Sequence, residues 1–386
     1  NFLISKFFSG MTVSEFIAVK LFPLFSISQT LTSTTNIDIT KYWYQEPSGY
    51  KYPIKILIPN GDVPEEGFPV CILLHGNGGN GSGMINQFKN VLECHALVAP
   101  SGYLNSWNIC GESSDAPDLE MVNELINHLQ TYSNVNPNKI RILGSSNGSA
   151  LANNVFITNK NPGIDIVCAI VSHLNEPQFH LGNFYATSSS TEPSNSYCGY
   201  DSLVDSLNNR KYLSISNEND PIIPYYGGTS VVGVDFLDAE TAVHKIAMSQ
   251  GFTGDKITNG TTISSPEITE YSYLSGNVVH IKGDAEHGTN SSQKDYINAF
   301  FTDCDAGLSY NDVVEEILSV FPNPTKDKLT INTTQKPKEI RVFSTSGVLL
   351  LKSHSKILNI SGLTNGFYIL EFEFENKIIQ KQIIKQ

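Results

Sequence analysis

The sequence predicts an α/β fold built on a mainly parallel β-sheet with helices on both faces, followed by a small all-β module. Three observations carry this. Short apolar runs alternate with amphipathic segments through the first three quarters of the 386-residue chain. Residues 317–386 read instead as short alternating strands between the polar turns "NPTKD", "STSG" and "LTNG". Charge divides the same way: from Ile317 onward ten Lys or Arg stand against five Asp or Glu, net +5, which leaves −18 for the rest of a chain whose total is −13.

The elements follow in order. "PIKILIP" alternates as a half-buried strand does, "PVCILLHG" is a continuous apolar run ending in glycine, and "HALVAPSG" is another short buried strand. "APDLEMVNELINHLQTY" places Leu119, Val122, Leu125, Ile126 and Leu129 at helical spacing, with acidic residues in its first turn. After a turn at "NVNPNK" come the strand "IRILG", a helix over "SALANNVFIT" and the buried strand "IDIVCAIVSHL". "RKYLSISNENDP" and "NVVHIKGDAEHG" continue the series. Residues 317–386 are expected to form a β-sandwich without a catalytic cluster, and "DAGLSYNDVVEE" is the linker. The expected organisation is a leader or degraded signal region over 1–33, a catalytic domain over 34–306, a linker over 307–316 and the sandwich over 317–386.

Composition excludes several classes. Apolar residues at 40% and charged residues at 16% describe a core-forming protein. The acidic balance argues against a nucleic-acid partner, because phosphate binding needs clustered Lys and Arg. "EFIAVKLFPLFSIS" is apolar but broken by Lys20 and Pro23, so no transmembrane span is expected. The six cysteines show no CxxC pair or zinc spacing, so no structural metal is expected. Cys71 and Cys168 lie in apolar runs and read as buried thiols, whereas Cys110, Cys198 and Cys304 lie in polar loops where an exported protein could form a disulfide. The pairing is not readable.

"ILGSSNGSAL" carries the chemistry. Gly144-Ser145-Ser146-Asn147-Gly148 satisfies the G-x-S-x-G nucleophile pattern, with a strand before it and an apolar helix after it. A serine hydroxyl needs a base placed against it, and a sharp turn holds its oxygen above the sheet. The flanking residues must be small because strand and helix backbones nearly touch there. Ser146 is therefore the candidate nucleophile and Ser145 a structural residue. "LLHGNGGNGSG" ends a strand where the second wall of an oxyanion hole belongs, which makes Asn77 a candidate amide donor beside Asn147. No Lys follows these glycines as a phosphate loop would require. Asp220 follows the strand "YLSI" and precedes a proline that fixes its turn, with Glu218 as rival on the same loop. His287 lies in a polar turn after "VVHIKG", whereas His280 sits within that strand as a packed or surface side chain and His75 is structural. The order Ser146, Asp220, His287 is that of the α/β-hydrolases and differs from the two other serine-hydrolase orders.

Residues from about Lys51 to about His287 resemble the secreted α/β-hydrolases grouped with polyhydroxybutyrate depolymerases, feruloyl esterases and acetyl-xylan esterases. The resemblance rests on "LLHGNGGNGSG", on "SWNICGESSDAPDLEMVNELINHL" before "VNPNKIRILGSSNGSALANN", and on the Asp-Pro loop "NDPIIPYYGG". It implies an α/β-hydrolase fold and a carboxylic-ester hydrolase without metal or organic cofactor that is secreted or cell-surface attached, acting on polymer-linked or aromatic esters. The histidine turn "AEHGTN" departs from the Gly-Gly-His-aromatic form common in the family. "LSVFPNPTKDKLTI", "EIRVFSTSGVLLL", "ILNISGLTNGFYILEFE" and "KIIQKQIIKQ" resemble the C-terminal sorting domain of the Bacteroidetes type IX secretion system, which implies that machinery as a partner. Tyr103, Trp107 and Tyr225 are expected to rim the substrate pocket, and "YATSSSTEPSNSYCGY", residues 185 to 200, to be an exposed loop or lid. A serine peptidase on the same scaffold and a non-catalytic surface-binding protein are the alternatives.

Overall fold

The computed structural model describes residues 29–187, 197–206, 208–263, 267–301, 319–333, 336–345, 347–374 and 378–386. The chain separates into two compact units that divide after Gly307.

The first unit is organised by nine strands: β1 (Ile54–Leu57), β2 (Phe68–Leu74), β3 (Ala96–Pro100), β4 (Val135–Ser145), β5 (Ile164–Ile170), β6 (Lys211–Asn217), β7 (Thr261–Ile263), β8 (Ile268–Tyr273) and β9 (Val278–Gly283). Their order across the sheet is β7-β8-β9-β6-β5-β4-β2-β3-β1. The six strands from β9 to β3 pair in parallel, and the antiparallel pairs lie at the two edges. The expected doubly covered, mainly parallel sheet is thus present. The continuous apolar strands explain it, because a strand buried on both faces cannot alternate polar with apolar. In β2, Val70, Ile72 and Leu74 enter one core while Cys71 and Leu73 enter the other. Helices α2 (Asp118–Leu129), α3 (Asn147–Thr158) and α4 (Ala239–Ser249) cover the first face; α1 (Gly81–Phe88) and α5 (Ser291–Phe301) cover the second.

Three expectations need correction. "NVNPNK" is not a turn before a strand: β4 runs through it, with Val135 paired to Phe68 across a register shift that absorbs the proline. The packed chain begins before Thr34, since Leu31 is buried and exchanges hydrogen bonds with the Asn134 carboxamide at 2.7 and 2.9 Å. The polar segment from Tyr185 is not all loop. Asn183–Ala186 pairs with Phe179–His180 and Ser202–Val204 in a small sheet, and Tyr200 is buried; residues 188–196 lie outside the described residues. Cys71 and Cys168 are buried free thiols as expected, and Cys110 is bridged to Cys198. Cys304 and most of the expected 1–33 leader also lie outside the described residues. Among the described residues no helix is long and apolar enough to cross a membrane.

Two imidazoles sit inside this unit uncharged. His173 holds Ser216 Oγ at 3.2 Å and the Leu237 carbonyl at 2.8 Å, and burial pushes it down to about 4. His280 holds Ser214 Oγ at 3.2 Å and the Tyr225 hydroxyl at 3.0 Å, and burial, reinforced by His173, pushes it down to about 3. In the unfolded chain both take up a proton near pH 6.5, so between that pH and the folded values the unfolded state binds more protons. Stability therefore falls as pH drops through this window, by about 1.4 kcal/mol per pH unit for each histidine. Urea midpoints measured from pH 7 to pH 4.5 should fall steeply; a level profile would contradict the assignment.

The second unit is all-β. Strands β10 (Ser319–Phe321), β11 (Lys328–Asn332) and β14 (Ile357–Asn359) form one antiparallel sheet. The other contains β12 (Glu339–Ser344), β13 (Leu349–Ser353), β15 (Gly366–Glu373) and β16 (Ile378–Lys385) in the order β13-β12-β15-β16. Leu329, Ile331 and Leu358 from the first meet Ile340, Val342, Leu370 and Phe372 from the second in one apolar core, as the alternating pattern requires.

Candidate active site

Ser146 stands between β4 and α3 with φ +53° and ψ −120°, a conformation that costs an L-residue roughly 1–3 kcal/mol. Close packing imposes it. A Cβ on Gly148 would lie 2.2 Å from the Leu74 carbonyl oxygen of β2, and one on Gly144 would lie 2.2 Å from the Gly148 oxygen. Helix and strands thus meet backbone to backbone, and the chain turns between them with the serine at its apex. The Ser146 N–H donates to the Ile170 carbonyl at 2.8 Å.

The loops after β6 and β9 meet at that apex. His287 Nε2 lies 2.7 Å from Ser146 Oγ, and His287 Nδ1 lies 2.8 Å and 3.0 Å from the two Asp220 carboxylate oxygens. The Asp220 side chain is 2% exposed, against 23% for His287. Its Oδ1 also accepts the Ile222 and Ile223 N–H groups at 2.8 and 3.1 Å, so the carboxylate is aimed by its own turn. A carboxylate can only accept, so the imidazole proton stays on Nδ1, where it is donated to Asp220, and the Nε2 lone pair faces the serine. Glu218, the rival, is elsewhere: it receives the Tyr226 hydroxyl and pairs with Lys282 at 3.6 Å, and the Tyr226 bond in particular holds its carboxyl below the usual range.

Ser146 opens on a cleft of about 350 Å³. Asn77 and Asn147 line it beside the serine, and Ile222, Ile223, Val234 and Phe236 make an apolar wall. As the first residue of α3, Asn147 presents an N–H at the positive end of a helix. Its side chain does something the sequence did not suggest. Oδ1 accepts the Trp107 N–H at 2.7 Å while Nδ2 donates to the Trp107 carbonyl at 3.1 Å and to Glu112 Oε1 at 2.9 Å. Glu112 in turn gathers the Ile109 and Cys110 N–H groups through Oε2. The stretch 106–112, which lines the cleft at Ser106 and from Ile109 to Glu112, is thereby tied to the serine turn, and the Cys110–Cys198 bridge ties it to a second loop. Nothing in a polar loop reading "CGESSD" separates such a glutamate from a solvated one.

The three aromatic residues expected at the rim are not there. Trp107 is completely buried; its Nε1 donates to the His75 carbonyl at 2.7 Å and its ring packs on the His75 imidazole. Tyr225 is 2% exposed because its hydroxyl is used internally, by Glu240 and His280. Tyr103 turns away into an edge-to-face cluster with Trp43 and Tyr50. Its chain neighbour Leu104 lines the cleft instead. His75 is structural as expected: it bonds the Gly76 carbonyl at 2.8 Å and accepts the Gly102 N–H at 3.0 Å, and burial lowers its pKa.

Residues 319–386 match the family described as the secretion system C-terminal sorting domain. No curated protein matches the chain. Among solved structures, it is similar to a carboxylesterase of Bacillus cereus at 11% identity, over 65% of this chain and 93% of that one, with a TM-score of 0.41. It is similar also to acetyl xylan esterase from Aspergillus awamori, at 11% identity over 64% and 93% with a TM-score of 0.41. A phospholipase/carboxylesterase from Dyadobacter fermentans aligns at 14% identity over 65% and 96%, with a TM-score of 0.37. Likeness at this level decides neither a reaction nor a substrate.

Proposed function

We propose that the chain is an exported serine carboxylic-ester hydrolase with the α/β-hydrolase arrangement, Ser146 as nucleophile, His287 as general base and acid, and Asp220 as orienting carboxylate. The observation that carries this reading is the unbroken hydrogen-bond relay from Asp220 through His287 to Ser146 at the mouth of a mostly apolar cleft. Nε2 takes the hydroxyl proton as Ser146 Oγ attacks the ester carbonyl, and Asp220 stabilises the imidazolium that results. The Asn77 and Asn147 N–H groups receive the developing oxyanion. His287 then returns the proton to the leaving alcohol, and water, activated by the same imidazole, releases the acid from the acyl-enzyme.

The apolar wall and the modest cleft volume suit an aryl or short acyl group attached to a polymer, and feruloylated or acetylated polysaccharide and polyester share that chemistry. The match of residues 319–386 supports export, and together with the turn and strand motifs of that segment it supports the type IX route. Turnover of p-nitrophenyl esters of increasing acyl length, feruloylated xylan, polyester film and a peptide anilide tests the reading. Ester hydrolysis with a serine-bound acyl group detectable by mass spectrometry on the Ser146 peptide is expected. Preference for the anilide, or no ester turnover, would refute it.

A further inference from the structure

We infer that Asn217 is a positioning residue for His287, acting on the backbone at both sides of the imidazole; this rests on the esterase reading above. Asn217 is the last residue of β6 and is completely buried. Its Nδ2 donates to the Glu286 carbonyl at 2.7 Å and to the Gly288 carbonyl at 2.9 Å, the two residues that flank His287. Its Oδ1 accepts Gln293 Nε2 at 2.7 Å. Gln293 is itself fixed at the start of α5, where it exchanges bonds of 2.9 Å with Asn290 in both directions. The amide pair needs the space that Gly283 leaves, since a Cβ there would lie 2.2 Å from Gln293 Nε2 and 2.8 Å from Asn217 Oδ1.

Asn219 completes the grip. Its Oδ1 accepts the Glu286 N–H at 2.9 Å and its Nδ2 donates to the Asp284 carbonyl at 2.7 Å. Glu286 is thus held at both its N–H and its C=O in a left-handed conformation of φ +52°, which an unsupported residue would leave. The carboxylate bond to Nδ1 sets the direction of the ring, but not the height at which its backbone stands over Ser146. The two carboxamides set that height. They belong with Asp220 to four consecutive residues, 217–220, so the orienting acid and the clamp on the base's loop are parts of one segment. A primary amide suits this place because it gives two N–H groups to two carbonyls while accepting a third bond; an ionised carboxylate of the same size has none to give.

Asn217→Asp keeps the volume and the acceptor for Gln293 and removes the donors. With the far-UV circular dichroism unchanged, kcat should fall by about 10- to 100-fold with KM within about threefold. The unaltered chain should show a downfield NMR resonance from the His287 Nδ1 proton, and in the variant it should broaden or vanish. If this variant does not fold, Asn219→Ala at an exposed position decides, with an expected loss of about 3- to 10-fold in kcat and the same change in the resonance. The inference is overturned if the folded variant keeps its kcat and imidazole signal, or if it loses only thermal stability and retains full turnover per titrated serine. The imidazole signal needs no substrate. An unaltered chain without ester turnover would therefore refute the esterase reading, while loss of the signal in the variants would still support the positioning role.

Discussion

Ser146→Ala should lower kcat on p-nitrophenyl acetate by about 10⁴- to 10⁶-fold, leaving only what the amide donors and binding supply. The substitution removes one atom at the centre of the proposed chemistry and almost nothing from the fold. Alanine has the same Cβ and meets the same left-handed strain at φ +53°, and the Ser146 N–H bond to Ile170 is retained. The lost contact is the 2.7 Å hydrogen bond to His287, worth about 1 kcal/mol of stability. A melting temperature close to that of the unaltered chain, beside a collapse of turnover, is the expected pair of results. Turnover retained by a folded Ser146→Ala chain would end the proposal.

Asp220→Asn should cost about 10⁴-fold at neutral pH, whereas Glu218→Gln should change kcat by no more than a few-fold. The asparagine side chain would offer either an N–H to Nδ1 or a single acceptor already shared with Ile222 and Ile223. In the first case the imidazole takes the other tautomer and turns a proton, not a lone pair, toward Ser146. Glu218 has no part in that relay, since Tyr226 and Lys282 occupy its oxygens on the exposed side of the loop. Steady-state kinetics on the two variants, prepared side by side, assigns the carboxylate; equal losses in both would overturn the distinction.

The residues at the apex were legible because their constraints are local. A strand, a small-residue turn and a helix follow one another within a short stretch around Ser146, and Asp220 and His287 each lie just past a buried strand. The cleft lining was not legible, because burial of an aromatic side chain on a loop depends on partners far away in sequence. Trp107 is drawn inward by the His75 carbonyl and Tyr225 by Glu240 and His280, none of which its own neighbours reveal. β4 was read short because Pro137 and three nearby asparagines look like a turn, while the pairing of Val135 with Phe68 is decided by the sheet. Asn217 and Glu112 were passed over for a related reason: an amide or carboxylate whose partners are backbone groups and side chains brought in by other elements leaves no spacing pattern.

The Cys110–Cys198 bridge encloses the intervening backbone in a covalent ring that contains β4, α3 and β5, and Ser146 with them. A protease that severs one peptide bond anywhere on that ring releases no piece. Both new ends stay leashed, and the nucleophile remains on the same molecule as the histidine it depends on.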